Sequence, residues 1–127
     1  ILIINNFMKI ARNKKYTFCF DIDNTICKTI KSNYKNSKPD KQAIKTINLL
    51  YNKGHTIKIY TARYMGRSND NYVNAKKMGL KKTKEQLKKW NVKYHKLFFS
   101  KPSSDIYIDD KSYGYNKNWR KKFLRLI

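Results

Sequence analysis

Acidic residues are scarce in this 127-residue sequence: eight Asp and Glu stand against thirty Lys and Arg, for a formal net charge of +22. That balance excludes a mixed, ion-paired surface and favours anionic ligands, whether phosphorylated metabolites, nucleotides or nucleic acid. Glycine (four) and arginine (five) are also few, while Lys, Asn, Ile and Tyr are over-used, as AT-rich coding would produce, so part of the charge is compositional. There is no low-complexity linker and no internal repeat, and the length matches the commonest single-core size of about 100 to 150 residues. One domain, residues 1–127, is expected. Only two cysteines occur, Cys19 and Cys27, with no CxxC spacing and no His cluster beside them. They read as reduced thiols of a cytoplasmic protein. Long apolar runs are absent too. The opening ILIINNFMKI has no basic segment ahead of it and no small-residue cleavage site, so neither a signal peptide nor a membrane span is expected. Ile1–Phe7 reads as an extension outside the fold.

The few acids that are present are unevenly placed. Asp21 and Asp23 follow the apolar stretch YTFCF, and Asp109 and Asp110 follow DIYI. YTFCF (16–20) is a strand by its aromatic and β-branched content. Residues 28–38 are polar and Asn-rich, a loop or small flap. From Pro39, Ala43, Ile44, Ile47, Leu50 and Tyr51 follow helical spacing up to Gly54. TIKIY (56–60) is the second strand and runs into the polar TARYMGRSND. A short helix over 70–78 ending at Gly79 is expected, then a second from Thr83, with Gln86 in a capping box, through Trp90. KLFFS is a third strand and DIYI a fourth. Residues 116–127 form a basic amphipathic helix with Trp119, Phe123, Leu124 and Ile127 on its apolar side. Alternating strands and helices predict an α/β fold: a three-layer, Rossmann-like parallel sheet with helices on both faces. Ligands of such sheets lie at the carboxyl ends of the strands, where these acids are.

Asp21 and Asp23 are two apart, so in an extended exit both carboxylates face one side while Ile22 points into the core. Such a pair calls for a compensating cation or a shared proton, and an all-oxygen set favours Mg²⁺. Thr61, Lys101, Asp109 and Asp110 stand at the other strand ends. A hydroxyl, an ammonium and a metal around one carboxylate make a receptor for a phosphoryl group.

The ordered set D-I-D-N-T, I-Y-T-A-R, K-P and Y-I-D-D resembles the four motifs of the haloacid dehalogenase superfamily, over about residues 16–110. The resemblance implies Asp21 as a nucleophile forming an aspartyl-phosphate, and Asp23 as the acid/base that protonates the leaving oxygen and then activates water. It implies that Thr61 and Lys101 hold the phosphoryl group. Asp21, Asp109 and the backbone carbonyl of Asp23 would bind Mg²⁺, with Asp110 a second ligand or a supporting group. Arg63 and Arg67 are candidates for substrate contact. Asn24 stands where the family often has Gly. The short spacings leave no room for a cap domain, so the chain looks like a capless member, most similar to small phosphatases encoded with capsule and surface-polysaccharide genes. A neighbouring copy of the chain, or the loop 64–70, would then close the open site.

The expected activity is that of an Mg²⁺-dependent phosphomonoesterase on a small phosphorylated metabolite, a sugar or sugar-linked intermediate. Charge alone favours a nucleic-acid end phosphatase, which lacks a recognisable aromatic stacking pattern here. A receiver-like phospho-acceptor module uses a similar residue set, but there the acidic pair opens the series, whereas here Asp109 and Asp110 close it. His55 and His95 are expected to be structural. Tyr64, Tyr113, Tyr115 and Trp119 are read as packing residues rather than pocket walls.

Overall fold

The computed structural model describes residues 2–3, 9–10 and 13–124. Two short strands, β1 (Leu2–Ile3) and β2 (Lys9–Ile10), pair antiparallel in a ladder of their own. The rest of the expected extension, Ile1 and residues 4–7, lies outside the described residues.

The central sheet is parallel and three-stranded in the order β3 (Thr17–Phe20), β6 (Thr56–Tyr60), β7 (Lys96–Phe98), with Phe20 opposite Ile59 and Tyr60 opposite Phe98. TIKIY takes the middle, pairing with β3 on one side and β7 on the other, and its alternate residues Ile57 and Ile59 are fully buried on one face while Thr56, Lys58 and Tyr60 on the other are partly buried. Each buried Ile contributes about 1.5–3 kcal/mol. Both histidines serve this sheet. His55 Nδ1 accepts the Tyr16 N–H at 3.1 Å and His95 Nδ1 accepts the Ile57 N–H at 2.9 Å. These bonds give them the structural role expected.

Between β3 and β6, a small antiparallel ladder of β4 (Cys27–Lys28) and β5 (Lys38–Pro39) closes the base of a flap spanning 29–37. Helix α1 (Lys41–Asn52) follows. Asp40 caps it, accepting the Gln42 and Ala43 N–H groups at 3.1 Å each, and its other oxygen meets Arg120 at 3.1 Å. The apolar positions named by helical spacing, Ala43, Ile44, Ile47 and Leu50, are all buried. Gly54 ends the segment at φ +89°, a conformation open to glycine.

Three expectations are corrected. The two helices placed on either side of Gly79 are one, α2 (Tyr72–Lys89). A glycine costs a helix only about 1 kcal/mol, and here it is required: an added Cβ would fall 2.1 Å from Tyr64 Cε2. Thr83, the expected cap, is instead a buried mid-helix residue. Secondly, the DIYI segment (105–108) is not a strand; Ile106 is 78% and Ile108 97% exposed. Its Tyr107 turns back on the preceding loop, donating its hydroxyl to Pro102 O and receiving Lys101 Nζ over its ring at 4.4 Å. These local contacts replace pairing with the sheet. Thirdly, the last helix, α3 (Trp119–Leu124), begins at Trp119 rather than at 116, and residues 125–127, Ile127 among them, lie outside the described residues. Trp119 and Phe123 are buried against Phe20 and Phe18, with centroids 5.8 and 5.4 Å apart, whereas Leu124 is exposed. The architecture is thus α/β, a three-stranded parallel sheet with packed helices. No helix of the described residues is long and apolar enough to cross a membrane.

Candidate functional site at the strand ends

Parallel strands bring their carboxyl ends to one edge, and the chain leaves that edge at Asp21, Thr61 and Phe99. Past β3, Ile22 is fully buried while Asp21 and Asp23 both line one cavity of about 620 Å³, the disposition that their spacing predicts. The turn after them is set by Asn24 at φ +60° and by Thr25 and Ile26 N–H groups donating to Ile22 O at 3.1 and 2.9 Å. Asn is one of the few side chains at ease in that conformation.

Lys101 arrives from the exit of β7. Its N–H donates to Thr61 O at 3.2 Å, and its Nζ stands 3.5 Å from Asp21 Oδ1 inside the cavity. Burial pushes the Asp21 carboxyl above the ordinary range and the Asp23 charge adds to this, while Lys101 opposes both. Thr25 Oγ1 donates to the other Asp21 oxygen at 3.4 Å. Asp21 is therefore a desolvated carboxylate that a cation steadies, with room in front of it.

Asp23 is held much more tightly. Arg63 grips it through a fork, Nε to Oδ2 and Nη2 to Oδ1, both at 2.9 Å, and Thr29 Oγ1 donates to Oδ1 at 2.5 Å. Arg63 also donates to Gln86 Oε1 at 2.7 Å and to Thr83 Oγ1 at 3.4 Å, and is 2% exposed. Arg63 lines the cavity, and with these bonds to the protein it fixes the orientation of Asp23.

Thr61 is fully buried and its hydroxyl accepts the Arg63 N–H at 3.1 Å, so it shapes the turn behind the cavity wall. Asp109 and Asp110 do not join the group. Both are exposed, neither lines the cavity, and Asp109 Oδ1 accepts the N–H of Lys111 at 2.8 Å in a local turn. The missing fourth strand is the reason, since strand geometry was what would carry them to the edge.

The roof of the cavity comes from the 29–37 flap and the 64–70 loop. Arg67 donates to Ser32 O at 2.8 Å, and Gln86 Nε2 to Tyr34 O at 2.8 Å. Tyr34 and Tyr64 meet with centroids 5.0 Å apart. Tyr64 is thus a cavity wall, contrary to the packing role expected of it; Thr29 and Tyr34 carried no signal in the sequence, and Gln86, read there as part of a capping box, instead bonds Arg63 and Tyr34. Arginine's scarcity was a usable signal, since two of the five fall within I-Y-T-A-R-Y-M-G-R. Cys27 is buried and Cys19 exposed, and both are free thiols.

The groups expected to hold Mg²⁺ are not all brought together. Asp21 and Asp23, the latter expected to ligate through its backbone carbonyl, line the cavity, whereas Asp109 and Asp110 lie away from it.

No protein-family model and no curated protein matches the chain. Among solved structures it is similar to a structural genomics target from Vibrio cholerae, with 24% identity and a TM-score of 0.76 over 87% of this chain and 95% of that one. At that identity the likeness shows a shared fold.

Proposed function

We propose that the chain is a phosphomonoesterase of the haloacid dehalogenase type, with a three-layer Rossmann-like core and no cap domain, acting through an aspartyl-phosphate on a small phosphorylated metabolite, a sugar or sugar-linked intermediate. The observation that carries the reading is the Asp21–Lys101 pair: a carboxylate raised by burial at the end of β3, an ammonium 3.5 Å away, and an open cavity in front. A nucleophilic carboxylate with a cation beside it suits attack on phosphorus, because the ammonium offsets charge on the phosphoryl oxygens as they approach.

In this scheme an Asp21 oxygen bonds to phosphorus as the ester P–O bond breaks, and the leaving oxygen takes a proton from Asp23, which carries it as a carboxylic acid in the substrate-bound state only. Water then attacks the aspartyl-phosphate, giving its proton back to Asp23 and releasing inorganic phosphate. Arg63 is the positioning residue for Asp23 in both halves. Thr61 supports the turn that places Arg63. Magnesium belongs to the proposal as an activator, and no step is assigned to it because the expected ligands are not gathered. The basic surface supports the end-phosphatase alternative only through nonspecific attraction.

The test is phosphate release by Asp21→Asn. The amide keeps the shape and is a far poorer nucleophile, so turnover of every phosphate ester hydrolysed by the parent should vanish while the melting curve stays cooperative. Parent-level activity in this variant refutes the mechanism.

A further inference from the structure

The outer part of the cavity carries charge that the phosphoryl chemistry does not use. Lys31, Ser32, Tyr34, Tyr64 and Arg67 line both the cavity holding Asp21 and an adjoining recess of about 380 Å³. The recess adds Lys35 and includes none of the carboxylates, so three cations and no acid face it. Among the described residues the ion pairs are Arg63–Asp23, Lys101–Asp21 and Arg120–Asp40. The recess cations are therefore not neutralised from within the described chain.

In a chain this basic, unpaired lysines are ordinary, and the distinguishing feature is Arg67. Its guanidinium carbon lies 4.9 Å from the Tyr64 ring centroid and 5.3 Å from that of Tyr34, and one N–H is fixed on Ser32 O at 2.8 Å. A planar cation already stacked and tethered, with further N–H groups to give, binds an oxyanion without first being ordered.

We propose that this recess is a second oxyanion subsite: the substrate is a phosphate ester whose alcohol portion carries its own carboxylate or phosphate. The scissile phosphoryl group meets Asp21 and Lys101, and the second oxyanion meets Arg67, Lys31 and Lys35. The inference rests on the phosphatase reading given above. An oligonucleotide end also offers a second phosphate, and the comparison of small esters with an oligonucleotide separates the two.

Two substrate pairs test it: phosphoglycerate against glycerol phosphate for a carboxylate, and a hexose bisphosphate against the hexose monophosphate for a phosphate. In the parent, kcat/KM should favour the doubly anionic member of at least one pair by about tenfold or more, as one charge-assisted contact supplies. Which pair shows the preference identifies the oxyanion. Arg67→Ala should cut the preference about tenfold. Lys31→Asn, which keeps a residue suited to the left-handed backbone there (φ +48°), should cut it less, and it serves if Arg67→Ala unfolds. Equal preference within both pairs in the parent, or equal losses within both pairs in the variants, overturns the subsite. So does an oligonucleotide end turned over faster than every small ester. Calorimetric binding of the same compounds to Asp21→Asn protein separates the two claims. If no ester is hydrolysed by the parent, the phosphatase reading fails, while an Arg67-dependent binding preference still upholds the subsite and its absence overturns it.

Discussion

Arg63→Met keeps a long apolar stem in the same burial and deletes the guanidinium. Asp23 then loses two N–H bonds of 2.9 Å, and Gln86 and Thr83 lose those at 2.7 and 3.4 Å. Removing one partner of a buried ion pair costs about 3–5 kcal/mol, chiefly because the remaining charge is stranded. The Asp23 side chain is 21% exposed, so water recovers part of its solvation and the lower end, about 3 kcal/mol, is the expected loss. For a chain of this size each kcal/mol moves the melting midpoint by about 4 °C, giving a fall of roughly 10–15 °C. Urea denaturation of the parent, Arg63→Met, Asp23→Asn and the double variant completes a cycle. The double variant should be more stable than the sum of the singles by about 2 kcal/mol. Arg63→Lys retains charge without the fork and should fall between parent and Met. A single-variant cost below about 1 kcal/mol, or additivity in the cycle, would refute the view that Arg63 holds Asp23.

Gly79→Ala normally strengthens a helix by about 0.5–1 kcal/mol; here the methyl would lie 2.1 and 2.3 Å from Tyr64 ring carbons, so a loss of about 1–3 kcal/mol is expected in urea, reversing sign in a Tyr64→Ala background, and a gain in the parent background would show that the ring is not lodged there. Burial, helped by Lys15 and Lys53, holds the His55 imidazole below its usual 6.5. The unfolded chain then binds the proton first, so stability from this site is full above about pH 6.5 and falls as pH drops towards the lower folded value. His55→Gln should flatten that slope, and an unchanged slope between about pH 7.5 and 5.5 would contradict it. The magnesium part of the proposal requires Asp109 to join Asp21. Saturation at a hundred times the dissociation constant should then add about 2.7 kcal/mol of stability in the parent and much less in Asp109→Ala. An unmoved melting curve in the parent refutes it.

What was legible in the sequence was what a local period encodes. Ile57 and Ile59 alternate on the buried face of a strand, and Ala43, Ile44, Ile47 and Leu50 recur at helical spacing, so β6 and α1 follow directly. Asp21 and Lys101 were legible because a parallel sheet delivers its strand ends to one edge. DIYI failed because alternation states only that two apolar residues share a face, not that a sheet offers them a place; Ile106 and Ile108 find none. Gly79 was misread because a glycine that ends a helix and one that admits a neighbouring ring look alike in sequence. The hold of Arg63 on Asp23 was not legible because its partners are 40, 20 and 23 residues away along the chain. A buried fork of that kind leaves no local pattern.

Left-handed backbone is concentrated around the candidate site. In a chain with four glycines, only Gly54 sits at positive φ, yet seven described residues with side chains do: Asn24, Lys31, Ser32, Tyr64, Asn69, Asp70 and Asn91. Asn91 follows the end of α2, where such a conformation commonly terminates a helix. Of the other six, Asn24, Lys31, Ser32 and Tyr64 line the cavity, and Asn69 and Asp70 end the loop above it, with Asp70 accepting the Ser103 N–H at 3.0 Å. Left-handed backbone costs a bulky residue such as Tyr64 about 1–2 kcal/mol. That conformation persists because Gly79, Phe99, Tyr34 and Arg67 enclose the ring. The residues in left-handed backbone therefore cluster where the flap and the 64–70 loop meet beside Asp21, and three bonds, Arg67–Ser32, Gln86–Tyr34 and Thr29–Asp23, hold these segments. The flap and the 64–70 loop are thus joined to each other and to Asp23 at the edge of the cavity.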